Sequence, residues 1–217
     1  MSLTGLIRSD YRRYRAAGAG SALGVILLTQ GFWASTVYRI NHHVHRRLRL
    51  PGVRQAARIL GLLAHKAMEI LTGISLPPEV EVGEGLYIGH FGPIIISPEA
   101  RLGRHCNLSQ GVTLGVGGRG DRRGAPVLGN RVYVGAGAIL FGRIDVGEDA
   151  AIGAGAVVTK PVPPRGVVAG NPARLISEAG SFDFVRFDGM EQDPDRQASQ
   201  ARRALPSAGG EAGSGAD

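Results

Sequence analysis

The clearest pattern in this chain is an aliphatic residue that returns every six positions between residues 82 and 162. A period of six fits neither the 3.6-residue repeat of a helix nor the two-residue alternation of a plain strand. The aliphatic series comprises Val82, Ile88 and Ile94, then Ile96, Leu102, Leu108 and Leu114, and finally Leu128, Val134, Leu140, Val146, Ile152 and Val158.

A second position, four places after most of these aliphatic residues, holds a small or aliphatic side chain, as at Ala100, Cys106, Ala138 and Ala156. Both features fit a coil with three short sides, in which the aliphatic residue points inward and the small one fits a tight corner. Stacked coils pair their backbone groups at a spacing of about 4.8 Å. An ordinary antiparallel sheet would instead alternate, with turns about every 8–12 residues. The repeat therefore predicts a mainly β fold, a parallel β-helix of hexapeptide repeats over residues 74–176.

The residues on either side of the repeat lack its period and give the chain two further parts. Residues 1–73 have helical spacing, which is clearest from Val53 to Leu71, where Ile59 and Leu63 share one side. Residues 177–217 form a C-terminal extension, which from about Gln192 contains mostly Gly, Ala, Ser and charged residues. Such a composition buries little apolar surface. We therefore predict a short helical N-terminal region, a β-helix domain and a largely disordered extension.

Composition limits the class of protein. A chain of 217 residues with 43% hydrophobic content can bury one substantial core. Its single cysteine excludes an intramolecular disulfide framework and is compatible with a reducing compartment. The apolar run at residues 22–29 is too short to span a bilayer. We predict a cytoplasmic protein.

Positive charge is concentrated at the start of the chain. The net charge is +7, and the first 50 residues contain eight arginines and one acid, Asp10. A basic segment of this kind could meet an anionic membrane surface, nucleic acid or an acidic partner. A solvated helical face explains it more simply. We expect no nucleic-acid partner, and contact with a membrane surface stays open as the less favoured alternative.

Two short motifs suggest ligand sites but lack the context that such sites need. His42, His43 and His45 lie close together, yet no Cys, Asp or Glu stands near them to complete a ligand set, so we predict no metal site. Gly115, Gly117 and Gly120 match G-x-G-x-x-G, but a dinucleotide site needs a strand before the motif and a helix after it. The interruption of the hexads here is better explained by a loop that projects from one corner of the coil.

Several segments resemble the hexapeptide-repeat acyltransferases and, within them, the serine acetyltransferases: GLYIGH, SQGVTLGVGG, VYVGAGAILFG, IGAGAVVTKPVPP and VAGNPARLI. The resemblance covers about residues 70–176, with a weaker echo in LIRSDYRRY near the start. It implies a left-handed β-helix, acetyl-CoA as co-substrate and a homotrimer with each active site between two subunits. A hexamer is the less favoured assembly, because the N-terminal region that joins trimers in this family is short here.

His90, the last residue of GLYIGH, matches the segment in which serine acetyltransferases carry their catalytic histidine. The resemblance implies a general base that takes a proton from an acceptor hydroxyl, whose oxygen then attacks the thioester carbonyl directly. An acyl-enzyme on Cys106 is the competing mechanism. We reject it because Cys106 occupies an inward small-residue position, where a thiol ionises poorly. The neighbouring His105 is expected to face solvent.

The expected contacts to acetyl-CoA lie along the coil. Ala136 and Ala154 belong to two GAGA segments, where small side chains would let the pantetheine arm lie against the backbone. Lys160 and Arg174 are candidate partners for the CoA phosphates. Gly115 and Gly117 begin the loop that, in this family, helps to cover the active site of a neighbouring subunit.

Departures from the family pattern leave the acceptor open. Ser75 takes the place of an aspartate that orients the histidine, and Gly89 that of an aspartate used with serine. Gly124 and Ala125 replace an Arg-His pair in the loop. Serine is the first predicted acceptor, which would make O-acetylserine for cysteine synthesis. The second is a sugar or polysaccharide precursor, which a site without those charges would suit. A non-catalytic scaffold is the third alternative.

Overall fold

Within residues 1–18, 21–48 and 51–204, which the computed structural model describes, fifteen short strands wind into a three-sided coil. Face 1 consists of β1 (Ile74–Ser75), β4 (Ile94–Ile96), β7 (Thr113–Gly115), β10 (Ile139–Phe141) and β13 (Val157–Val158). Face 2 consists of β2 (Glu81–Val82), β5 (Arg101–Leu102), β8 (Val127–Leu128) and β11 (Asp145–Val146). Face 3 consists of β3 (Tyr87–Ile88), β6 (Asn107–Leu108), β9 (Tyr133–Val134), β12 (Ala151–Ile152), β14 (Val167–Ala169) and β15 (Arg174–Ser177).

The six-residue period forms the core of this coil. Neighbouring strands of each face pair in parallel, except that β15 runs antiparallel to β14. Every aliphatic residue of the series from Ile88 to Val158 is at most 4% exposed, and Val82 is half-buried at the first coil. Successive coils approach so closely at the corners that a Cβ on Gly103 would lie 2.5 Å from the Gly129 carbonyl oxygen. Glycine is therefore required there by space.

Four helices precede the coil: α1 (Leu3–Ala16), α2 (Ala22–Leu28), α3 (Gln30–Arg47) and α4 (Pro51–Thr72). α4 is the helix expected from Val53 to Leu71, and its apolar side is left open in the single chain, with Leu60 67% and Leu63 61% exposed. In the described part of the chain, none of the helices combines the length and the apolar character that crossing a membrane requires.

The first coil is capped by side chains of α1 and α3, because its strand edge has no coil above it. Asp10 accepts a hydrogen bond from the Leu86 N–H (2.9 Å) and two from the Arg39 guanidinium (2.9 and 3.0 Å). Arg39 also donates to the carbonyl oxygens of Val82 (2.7 Å) and Gly83 (2.6 Å). Both charged side chains are 1% exposed. One buried ion pair thus satisfies backbone groups on two faces of the coil.

Residues 178–204 pack along face 3, which differs from the largely disordered extension expected from the sequence. Phe182, Val185 and Phe187 are buried, and Phe184 stacks on Tyr133 with ring centroids 4.5 Å apart. The short helix α5 (Pro194–Ala204) follows. A few large apolar anchors hold this segment although most of its residues are polar. Residues 205–217, where the expected disorder also falls, lie outside the described part of the chain.

His105 is held by this C-terminal segment and does not face solvent as expected. Its ring stacks on Phe187 with centroids 4.0 Å apart and planes 6° from parallel. Burial lowers the pKa of His105 to about 4, and the nearby cations Arg13 and Arg104 act in the same direction.

We predict that Asp10→Ala destabilises the fold by about 3–5 kcal/mol, the range for breaking one side of a buried ion pair. The variant leaves the Arg39 charge buried beside the uncapped Leu86 N–H. Glu81→Ala is the matched control, because Glu81 pairs with Arg46 of α3 and with Arg101 at the surface, where each such pair contributes at most about 1 kcal/mol. Urea unfolding measures both, and similar losses for the two variants would contradict the capping role.

We also predict that stability falls as pH decreases from about 6.5, the ordinary pKa of histidine, towards the folded-state value of about 4. In this window the unfolded chain binds more protons at His105 than the folded chain does, which favours unfolding. His105→Asn should flatten this part of the curve, and asparagine tolerates the positive φ of 56° at this position. Equal pH dependence of the urea midpoint in both proteins would exclude the buried imidazole as its source.

Candidate functional site

His90 lies exposed at the corner where the chain passes from face 3 to face 1. Ile88 is paired with Leu108, Leu108 with Val134, Val134 with Ile152, and Ile152 with Val168. The residues two places further along are therefore stacked in one column, which we call the His90 corner: His90, Gln110, Ala136, Ala154 and Gly170.

The His90 corner presents backbone and small side chains to solvent over several coils. The Gly137 N–H donates to the Gln110 carbonyl oxygen, and the Gly155 N–H to that of Ala136, both at 2.8 Å. A Cβ placed on Gly155 would meet no atom within 4 Å, so the space outside is open. Each coil adds about 4.8 Å. A long, thin ligand can thus lie along this corner and end near His90.

A cavity of about 590 Å³ separates His90 from the N-terminal helices. α1 contributes Tyr14, α3 contributes Gln30 and Gly31, and Tyr87 of β3 completes the wall. None of the described residues that line it is Asp, Glu, Lys or Arg. Burial raises the pKa of both Tyr14 and Tyr87, so both phenols stay neutral. The described lining therefore presents hydroxyl, amide and imidazole groups to a ligand, but no carboxylate, ammonium or guanidinium group.

Tyr14 and Gly31 hold the helices against β3, which ends two residues before His90. The Tyr14 hydroxyl accepts a hydrogen bond from the Ile88 N–H (3.1 Å) and donates one to the Ile88 carbonyl oxygen (3.2 Å). A Cβ on Gly31 would lie 2.7 Å from that hydroxyl and would overlap the same carbonyl. This wall was not predicted from the sequence. The signal for it is the spacing of Asp10 and Tyr14, which are four residues apart and therefore lie on the same side of α1.

Ser75, which stands where the family has an aspartate, is joined to a carboxylate from α4. Its hydroxyl donates to Glu69 Oε1 at 2.5 Å, and the same oxygen lies 3.1 Å from His65 Nε2. Burial by itself would raise the pKa of Glu69, but hydrogen bonds from Lys66 and Ser75 outweigh it and lower the pKa. An ionised carboxylate is therefore held beside the position of the missing aspartate.

The residues that we expected to bind CoA lie at two different corners of the coil. Ala136 and Ala154 lie in the His90 corner, and Arg174 pairs with Ala169, directly before Gly170 at the end of that column. Gly115, Gly117 and Lys160 lie across face 1, where the chain turns towards face 2. One chain thus does not bring all of them together.

The loop after β7 is a closed hairpin. Gly117 and Gly124 exchange two backbone hydrogen bonds of 3.0 Å, and a 3₁₀ turn (Gly120–Arg122) forms the tip. Gly117 has no room for a side chain, because a Cβ there would lie 2.6 Å from the Phe141 ring. The segment that matches G-x-G-x-x-G therefore opens a loop between two strands of the coil.

The other reactive side chains have local roles. Cys106 is fully buried, burial raises the pKa of its thiol to about 12, and its Sγ donates to the Gly129 carbonyl oxygen at 3.3 Å. His42 Nδ1 lies 2.7 Å from the Pro78 carbonyl oxygen. Among residues 1–18, 21–48 and 51–204, no three His, Cys, Asp or Glu side chains gather as a metal site would require.

Comparison with models of protein families gave no match. The chain is 37% identical over 193 residues to the serine acetyltransferase of Synechococcus elongatus, which covers 88% of this chain and 74% of that protein. The structure of soybean serine acetyltransferase complexed with serine is similar at 33% identity, with a TM-score of 0.70 over 81% of this chain and 70% of the other. Serine acetyltransferase from Brucella abortus in complex with coenzyme A is 29% identical, with a TM-score of 0.70 over 82% of this chain and 68% of the other.

Proposed function

Because the chain belongs to the serine acetyltransferase family, we propose that it transfers an acetyl group from acetyl-CoA to the hydroxyl of L-serine. Family membership confirms the class of enzyme predicted from the sequence, an acyltransferase that uses acetyl-CoA. It also confirms the predicted fold, a left-handed parallel β-helix that follows a short helical region.

The observation that carries the proposed mechanism is the position of His90 between a cavity and an open corner. The acceptor occupies the cavity beside the helices, and the pantetheine arm of acetyl-CoA lies along Ala136 and Ala154. His90 takes the proton from the acceptor hydroxyl as its oxygen bonds to the acetyl carbonyl carbon. The C–S bond then breaks, the protonated His90 gives its proton to the thiolate, and CoA leaves as the thiol while the acetyl ester remains on the acceptor.

A second copy of the chain completes the site in this proposal. The loop that starts at Gly115 and the ammonium of Lys160 lie across face 1 from the same chain's His90 corner. Face 1 itself is apolar outside: Ile95 is 55% and Ile139 40% exposed, and both pair with Thr113 in one row. Side-by-side packing of three chains through such faces would bring one chain's loop to its neighbour's His90. We propose this homotrimer as the active form.

A cytoplasmic location belongs to the same proposal. The single cysteine is buried as a thiol, so no disulfide holds the described part of the fold. Acetyl-CoA is an intracellular co-substrate, which agrees with this.

One observation favours a different acceptor as the second candidate. Serine carries an ammonium and a carboxylate, yet the described lining of the cavity supplies no charged side chain to pair them. A sugar hydroxyl would meet the neutral hydroxyl and amide groups without leaving a charge unpaired. O-acetylation of a sugar or polysaccharide precursor is therefore the alternative within the same chemistry.

We predict that His90→Ala lowers kcat/KM by about 10²–10⁴-fold, the usual contribution of a general base. The fold and CoA binding should persist, because the side chain is exposed. His43→Ala, also exposed but on α3, should change little. CoA release should be followed with L-serine, homoserine and nucleotide sugars in turn. Full activity of His90→Ala on the best acceptor would reject the mechanism, and turnover of a sugar but not of serine would select the second candidate.

Bulky side chains at the His90 corner should block CoA. Ala136→Trp and Ala154→Trp are each expected to weaken CoA binding about tenfold or more, as loss of roughly 1.4 kcal/mol of binding free energy would do. Their melting temperatures should stay close to that of the parent, because Ala154 is exposed and Ala136 is only partly buried. Val127→Trp, an exposed substitution on face 2, is the control. Unchanged affinity in calorimetry would place the CoA groove elsewhere.

A further inference from the structure

A second cavity, of about 360 Å³, lies where α1, the coil and the C-terminal segment meet. α1 lines it with Arg8, Arg12 and Arg13, and the opposite wall includes His105 and Phe187. Its volume falls within the roughly 300–1,000 Å³ of small-molecule sites. It lies apart from the His90 cavity, which is lined by other residues. The proposed acetyl transfer uses none of these side chains.

Arg13 is the unusual residue of this cavity. It is 1% exposed, and burial lowers its pKa to about 10, so it stays charged at neutral pH. Of the other buried arginines, Arg39 binds the carboxylate of Asp10 and Arg131 that of Asp149, and Arg196 donates to the carbonyl oxygens of Val185 and Phe182. Within the described residues, no carboxylate lies within 4.0 Å of Arg13, and its Nε has no hydrogen-bond partner.

The groups that Arg13 does contact are neutral. It donates to the side-chain oxygen of Asn107, and its guanidinium lies 5.4 Å from the centre of the Tyr87 ring. A buried cation without an anion is costly, and the cost is relieved when an anion binds beside it. Arg13 is therefore a buried positive charge at the wall of a cavity, and none of the described residues supplies its counterion.

The rest of the lining also favours an anion. Arg8 and Arg12 are four residues apart and so project on the same side of α1, where both are exposed. His105 Nδ1 is buried against Gly85, where a Cβ would lie 2.2 Å from it, so the donors to an anion in this cavity are the arginines. Two carboxylates, Glu84 and Asp188, oppose the three guanidinium groups. Positive charge remains in excess.

We propose that this cavity is a binding site for a small phosphate- or sulfate-type anion, held by Arg8, Arg12 and Arg13. Guanidinium groups match the oxygens of such an anion in geometry as well as in charge. The bound anion would neutralise the buried charge of Arg13 where α1 meets the coil and the C-terminal segment. Tyr14, the neighbour of Arg13, lines the cavity beside His90, so the anion would also stabilise that wall.

Calorimetry with inorganic phosphate on the full chain tests this proposal, at constant ionic strength in a buffer that carries no phosphate or sulfate. We expect one site per chain. Arg12→Gln should weaken binding about tenfold, as expected for one charge-assisted hydrogen bond. Glu84→Gln should strengthen binding, because it removes a repelling charge. Arg186→Gln, on the C-terminal segment but outside the cavity, should leave the affinity unchanged.

A second arm identifies the source of the phosphate group. Vesicles that contain phosphatidylglycerol are compared with neutral vesicles in a flotation assay, for the parent chain and for Arg12→Gln. Binding of free phosphate alone supports a soluble anion, and Arg12-dependent binding of anionic vesicles alone supports a lipid headgroup. The proposal is overturned if phosphate and vesicles both fail to bind, or if Arg12→Gln and Glu84→Gln change the affinity no more than Arg186→Gln does.

Discussion

The fold depends on the buried ion pair of Asp10 and Arg39, which pairs the backbone groups at the open end of the coil. A stack of parallel coils pairs its backbone groups internally but leaves unpaired donors and acceptors at its first coil, and burying such groups unpaired is costly. Asp10 accepts from one N–H of that coil, and Arg39 donates to two of its carbonyl oxygens. Each ion satisfies the other, so the pair can be buried without an uncompensated charge. The N-terminal helices are therefore part of the coil's end.

The same cap determines where substrates can meet His90. Because Asp10 fixes α1 against the coil, Tyr14 one turn further along α1 reaches the backbone of Ile88, two residues before His90. Gly31 lets α3 approach the same strand without a clash. The cavity proposed for the acceptor is the space that remains between these helices and the His90 corner. In that proposal the coil supplies the repeated corner for CoA, and the cap supplies the wall opposite His90.

The sequence predicted the part of this arrangement that repeats. Each hexapeptide carries its own inward aliphatic residue, so the core, the coil and the place of Ala136 and Ala154 in successive coils follow from spacing. Their alignment with His90 does not, because a two-residue slip and the loop after β7 lie between them. The cap does not repeat, because Asp10 and Leu86 are joined by one contact between residues that are 76 positions apart. The C-terminal segment was missed for a similar reason. Phe182 and Phe187 are isolated anchors in a polar stretch, and their contact with His105 changes the environment of that histidine.

The proposed division of the site across face 1 also bears on the choice of acceptor. The described residues that line the cavity of a single chain include no Asp, Glu, Lys or Arg, so in the proposed site a neighbouring chain would supply the charges that pair with serine. The loop after β7 carries Arg119 and Arg123 in exposed positions, and the Arg123–Glu99 pair at 3.2 Å is of the surface kind that exchanges easily. In a side-by-side trimer this loop would approach the neighbour's His90 corner. A cation of one chain would then bind the carboxylate of serine, and His90 of the neighbouring chain would remove the proton from the serine hydroxyl. Serine specificity would therefore depend on the assembly.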